Sequence, residues 1–300
     1  MSDLAFFALG FALLIHIIFV SITIGVGWIS AFSRLSAYLK NSSYHERFAR
    51  KTFRILVVFE LFSGVWGTII TVFLAGFFPS LTALATNVLF VPILIALISI
   101  MIRIPSIGIF WYTWGKIHPR YHSAIGMVMA ISGFTVPLGF RAIFSEINKP
   151  TALAEFMEGV AVSPLAAYTS VLYWLLYFHT IFAVMSVGGF VVAYLMSLER
   201  DTEGMRIGYL YGLGFLILQI PVGKIYWASL RDFSPYMFSN ITFGSFLPAF
   251  IAKLSAVTVL VFLSVIGYIR ESVSYAKYSL ILALLAVFLG ELMNSGARYP

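Results

Sequence analysis

Apolar residues run through this chain in eight long stretches, separated by short segments that hold most of its charge. The stretches cover about 4–32, 53–77, 83–113, 123–145, 167–197, 206–230, 244–269 and 277–296. Each is of the length, about 20 residues, that a helix needs to cross a bilayer. No ten-residue segments of alternating polarity occur, so the pattern predicts membrane helices and not a barrel. The third stretch is interrupted by Arg103 and Pro105, which leaves its inner end undefined. The first, Leu4 to Phe32, is too long for a signal-peptide core and lacks a basic leader, so it reads as a retained helix.

Composition agrees with this pattern. Of 300 residues, 61% are hydrophobic and 10% charged, where soluble domains carry about a quarter charged residues. The expected class is an all-α integral membrane protein of eight spans. The absence of cysteine excludes disulfides, thiolate zinc sites and iron–sulfur ligation.

The net charge of +7 lies in the connections, which points to topology and not to nucleic acid as partner. The 33–54 connection holds Arg34, Lys40, Arg47, Arg50, Lys51 and Arg54. The next connections on the same side hold Lys116 and Arg120, then Arg200 and Arg206, then Arg270 and Lys277. The opposite side has only Lys149 and Arg231. Positive connections stay cytoplasmic, so both termini are expected outside a plasma membrane. Anionic lipid head groups are a secondary partner of the basic run.

The chain also divides into halves, about 1–150 and 151–300, with equal span number and orientation, as in a parallel repeat. Phe90-Val91-Pro92 and Ala96 echo Phe246-Leu247-Pro248 and Ala252. Leu138-Gly139 before Pro150 echoes Leu289-Gly290 before Pro300. The reading is two pseudo-repeated four-helix bundles joined by the hydrophilic stretch 146–166.

Candidate chemistry sits inside the spans. His16 opens HIIFVSITIG and His179 opens HTIFAVMSVG. Each lies about twelve residues from the outer end of its helix, about 18 Å at 1.5 Å per residue. Ionisable groups at such depth are expensive and mark function. Glu291, Arg141, Lys224 and Lys253 fall in the same middle-to-outer layer, with Glu60 and Arg103 nearer the cytoplasm. Neutral imidazole is the usual axial ligand of heme b, and heme propionates call for Arg or Lys. The glycines Gly25, Gly64, Gly67, Gly139, Gly188 and Gly290 permit close approach of a flat macrocycle or a neighbouring helix.

Plainer roles stand beside these. An intramembrane histidine also serves as hydrogen-bonding glue between helices. Glu291 also suits neutralisation of a lysine. Lys224 near a helix end suits snorkelling, and Arg103 either snorkels or marks the kink before Pro105. Gln219 and Asn87 suit helix–helix hydrogen bonds. Walker, dinucleotide, HExxH and serine-elbow motifs are all missing from the sequence. Chemistry therefore falls to the intramembrane residues and a cofactor.

These residues resemble subunit I of the cytochrome bd quinol oxidases. FALLIHIIFVSITIG is similar to that family's first helix, and FELFSGVWGTIITVFLAGF to its second, with Gly64-Val65, Phe73 and Gly76 in place. FHTIFAVMSVGGFVVAYLM, preceded by Ser163-Pro164-Leu165-Ala166, is similar to its fifth. GELMNSGARYP resembles its Arg-x-Pro ending. The resemblance implies that His16 binds a high-spin heme and His179 the low-spin heme b, with Glu291 near the carboxylate of a second high-spin heme. It implies two or three hemes per chain, with heme d as well as heme b allowed. Arg141, Lys224 and Lys253 become candidate partners of propionates.

Three departures qualify the likeness. The family's methionine ligand is missing from 244–269, where Lys253 and Ser255 stand about at the family's Arg and Met. Asn87 to Trp114 lacks the third-helix glutamates. The outer quinol loop shrinks to about 231–243. The expected function is electron transfer from a membrane quinol to a terminal acceptor, with oxygen the family's acceptor. A second membrane subunit or a second copy would complete the complex. The alternatives are a non-catalytic heme b anchor relaying electrons to a partner, and an ion-coupled transporter.

Overall fold

The computed structural model describes residues 2–297. Arg298, Tyr299 and Pro300, which carry part of the C-terminal resemblance, lie outside the described residues. The described chain folds into α1 (Ser2–Lys40), α2 (Ser43–Phe77), α3 (Pro79–Val88), α4 (Phe90–Tyr112), α5 (Pro119–Asn148), α6 (Ala152–Met157), α7 (Val171–Leu198), α8 (Thr202–Phe233), α9 (Pro235–Thr242), α10 (Leu247–Arg270) and α11 (Val273–Gly296). Eight of these are long and apolar enough to span a membrane: α1, α2, α4, α5, α7, α8, α10 and α11. The chain is thus an all-helical, multi-pass membrane protein, as the sequence pattern predicts.

Span number matches the expectation; span ends do not. The basic 33–54 segment is no loop. Helix α1 runs on to Lys40 and α2 begins at Ser43. Asn41 takes the left-handed conformation (φ 49°), and Ser42 caps α2 by accepting from the His45 amide. Capping chemistry ends these helices beyond the apolar boundary. The third stretch splits at Leu89. Pro79 sits in the first turn of α3, where a missing N–H loses no intrahelical bond, and Pro92 sits in the first turn of α4. The expected 146–166 linker is partly helical, since α5 reaches Asn148 and α6 follows.

Consecutive long helices pair as antiparallel hairpins: α1 with α2, α4 with α5, α7 with α8, and α10 with α11. The inner helices then join the halves. Helix α1 packs on α5 and α7, and α7 on α11 and α5. This pattern is consistent with the pseudo-repeat, which exchanges α1 with α7 and α5 with α11. The repeated phrases occupy matching places. Gly139 of α5 packs on Pro92 and Ala96 of α4, and Gly290 of α11 packs on Lys253 of α10, the residue after Ala252.

Helix α7 is the central element. Leu172, Val184, Phe190, Val192 and Met196 are all buried along it. Helix α1 crosses α7 backbone to backbone. A Cβ at Gly188 would lie 2.6 Å from the Gly25 Cα, so only glycine allows this approach.

Candidate functional site

Helix α1 places His16 against α2. Its Nδ1 lies 3.0 Å from the Ser63 carbonyl. A carbonyl oxygen only accepts, so Nδ1 carries the hydrogen and Nε2 presents a lone pair. The ring lies over Gly67, where a Cβ would stand 3.1 Å from the His16 Cε1.

Helix α7 places His179 against α8 in the same manner. A Cβ at Gly223 would stand 2.8 Å from the His179 Cε1. The His179 Nδ1 is buried without a hydrogen-bond partner. The Gln219 amide nitrogen lies 3.4 Å from His179 Nε2. Ser63 and Gly67 on α2 correspond to Gln219 and Gly223 on α8, each pair four residues apart. One turn of the facing helix in each half therefore holds an imidazole against a glycine. The Tyr226 ring lies 6.4 Å from His179 at 17°, and its hydroxyl accepts from Asn148 Nδ2 at 3.1 Å.

Around His179 the structure gathers three of the charged candidates. Glu291 of α11 is buried. It lies 3.8 Å from Arg141 of α5 and accepts from Asn294 Nδ2 at 3.3 Å. The Lys253 ammonium packs on Gly290, beside Glu291. The charges of Lys253 and Arg141 both reach the His179 ring. Lys224 stands apart. It lies on the exposed side of α8, in an open groove with Pro221, Ile225, Arg231 and Asp232.

Two buried clusters escaped the sequence reading. Arg103 does not snorkel. Its Nε and Nη2 donate to the Glu60 carboxylate at 3.0 and 2.9 Å. It also donates to the Met129 and Thr23 carbonyls, each at 3.2 Å. One guanidinium thereby joins α1, α2, α4 and α5, in room left by Gly27 and Gly133. The signal was present, since a charge deep in an apolar run seeks a partner. Its partner, 43 residues away, was visible only as another charge within an apolar run. At the basic end, Arg34 Nε donates to His122 Nδ1 at 2.9 Å, and His122 Nε2 donates to the Phe110 carbonyl at 2.9 Å. His122 lies beyond any layer the spacing had marked.

The donor set can be tested against heme. Among the described residues no three His, Cys, Asp or Glu side chains converge on a bare metal ion. What each half offers is one imidazole set beside a glycine, with a free Nε2 lone pair at His16 and an orphaned ring nitrogen at His179. Cations adjoin His179. Axial ligation of a flat, propionate-bearing macrocycle fits these residues.

Fold and site together define a multi-pass helical membrane protein built on a histidine-bearing repeat. The chain belongs to the cytochrome bd terminal oxidase subunit I family, whose sequence model matches residues 4–236. Its fold is similar to that of the bd oxidase from Geobacillus thermodenitrificans, with a TM-score of 0.87. The match has 15% sequence identity and covers 98% of this chain and 86% of that chain. Comparison with curated proteins gives no match. Lys253 and Glu291 lie beyond the residues that the family model matches.

Proposed function

We propose that this chain is a heme-bearing subunit of a bd-type quinol oxidase in the plasma membrane. The observation that carries the reading is the duplicated setting of His16 and His179, each against a glycine of the facing helix. His16 and His179 would hold the heme iron, and Glu291 is a third candidate. Heme, when bound, supplies one-electron chemistry and an open position for a diatomic gas.

The protein's own residues do the rest. The Ser63 carbonyl fixes the His16 tautomer, which keeps Nε2 available and raises its basicity. Gly67 and Gly223 keep the rings at their helices. Arg141 and Lys253 balance anionic charge near His179, such as propionates. Lys224, at the rim, holds an outer propionate or a quinol head group. Lys224 and Asp232 lie on one open face of α8 with apolar Pro221 and Ile225, a face that a quinol reaches from lipid. Oxygen is the proposed acceptor, and a second membrane subunit or second copy completes the complex.

The test is heme count per chain with a reduced-minus-oxidised spectrum. His16→Ala and His179→Ala should each lose one distinct heme signal. Unchanged stoichiometry in both variants refutes the ligand assignment. The lack of acids on α4 favours a second reading, an electron relay with both axial positions filled. Carbon monoxide separates the two, since it perturbs only a heme with an open position.

A further inference from the structure

Among the described residues, the spanning helices hold one ion pair, apart from the charges around His179, that the proposed function does not use. The Glu60 carboxylate is held bidentately by Arg103, and the Arg103 side chain is 5% exposed. Glu60 stands one helical turn before Ser63, whose carbonyl takes the His16 proton. The carboxylate and the proton acceptor of His16 thus share one turn of α2. The charge of Glu60 reaches the His16 ring. Arg103 directs its remaining donors to the Thr23 and Met129 carbonyls. The bonds of Arg103 hold Glu60 in place against α1, α4 and α5. The second half has no such pair: Leu216, three residues before Gln219, stands where Glu60 does.

We infer that Glu60, fixed by Arg103, is a positioning residue that sets the reduction potential of the heme at His16. The inference rests on the heme reading of that histidine. A fixed negative charge beside a ligand favours the ferric state, which carries one more positive charge than the ferrous. The Ser63 carbonyl on the same turn accepts the Nδ1–H and makes the imidazole a stronger donor. Both effects lower the potential. The Arg103 guanidinium offsets part of this charge, and the low-dielectric interior leaves the remaining field poorly screened. The duplicated sites then differ in potential because only the His16 site has an acid on the turn that accepts the ring's proton, where the second half has Leu216, and electrons have a preferred direction between two otherwise similar ligand settings.

The test is an equilibrium redox titration of the purified, heme-loaded protein, followed by absorbance at each heme's own band. The chemical reductant supplies one electron per iron. Glu60→Gln should raise the potential of the His16-dependent heme by about 59 mV, a tenfold change in its one-electron equilibrium constant. The His179-dependent heme should not move. Glu60→Asp keeps the charge and should keep the potential. Should Glu60→Gln fail to fold with Arg103 unpaired, Glu60→Gln/Arg103→Gln removes both charges. It should shift the same heme in the same direction by less. An unchanged potential in the folded variants, or an equal shift at both hemes, overturns the inference. Loss of no heme signal in His16→Ala instead overturns the ligand assignment beneath it, so the two failures are distinguishable.

Discussion

At the scale of single residues, the two histidines depend on what faces them. Imidazole at mid-membrane is tolerated only if its nitrogens are satisfied, by protein or by a ligand. His16 meets the Ser63 carbonyl, whereas His179 leaves Nδ1 buried and unpaired. Glycine at 67 and 223 is what lets each ring lie against its neighbouring helix. Gly223→Val puts a branched side chain where a Cβ already stands 2.8 Å from His179 Cε1. The ring must turn, and heme affinity at His179 should fall by about tenfold or more, the usual effect of disturbing a ligand's support. Gly64 has open space around its Cβ position, so Gly64→Ala should leave both heme signals intact. Pyridine hemochrome counts on the two variants check this. The sequence made the histidines legible because each stands out against an apolar run. It did not reveal Gly223 or Gln219 as partners of His179, because facing residues on α8 follow from the crossing of two helices.

At the scale of elements, hydrophobicity specified how many helices cross the membrane and capping specified where they end. The apolar run of α1 stops near Phe32, yet the helix continues to Lys40. Asp201 does the same work at α8, accepting from the Gly204 amide at 3.0 Å and from the Tyr44 hydroxyl at 2.9 Å. Such ends are written in one or two polar residues, which a count of apolar positions passes over. The interior clamp was obscured for a related reason. Arg103 and Glu60 are each legible as charges within apolar runs, but their pairing needs the α2–α4 neighbourhood. The clamp also yields a stability prediction. Arg103→Leu leaves Glu60 ionised without a partner and should cost about 3 kcal/mol, the lower end for breaking a buried pair. The lower end applies because the Glu60 side chain keeps 23% exposure. Adding Glu60→Leu should restore most of the loss, since two apolar side chains leave no charge unsatisfied. Unfolding in mixed detergent micelles measures both. A single variant as stable as wild type would show that the pair contributes nothing to holding the four helices.

At the scale of the whole molecule, the repeat supplies similar frames and the charges make them different. The first half holds Glu60 and Arg103 on the basic side of His16. The Arg141, Lys253 and Glu291 cluster adjoins His179 and joins α5 to the second half. Orientation gives these layers their meaning. Six basic residues cluster between 33 and 54 around the α1–α2 turn. On the same side Lys51 pairs with Glu199 at 2.5 Å and Arg206 pairs with Glu271. The opposite connections carry little positive charge, which predicts that they lie outside. The absence of cysteine makes the orientation directly testable, since any introduced thiol is the sole target. Ser163 and Ser245 are exposed on the predicted outer side, and Ser43 and Ser274 on the inner. In right-side-out vesicles a membrane-impermeant maleimide should label Ser163→Cys and Ser245→Cys at once. Ser43→Cys and Ser274→Cys should react only after the membrane is opened. The reverse pattern would put the α8 groove on the cytoplasmic face and move quinol oxidation to the other side of the membrane.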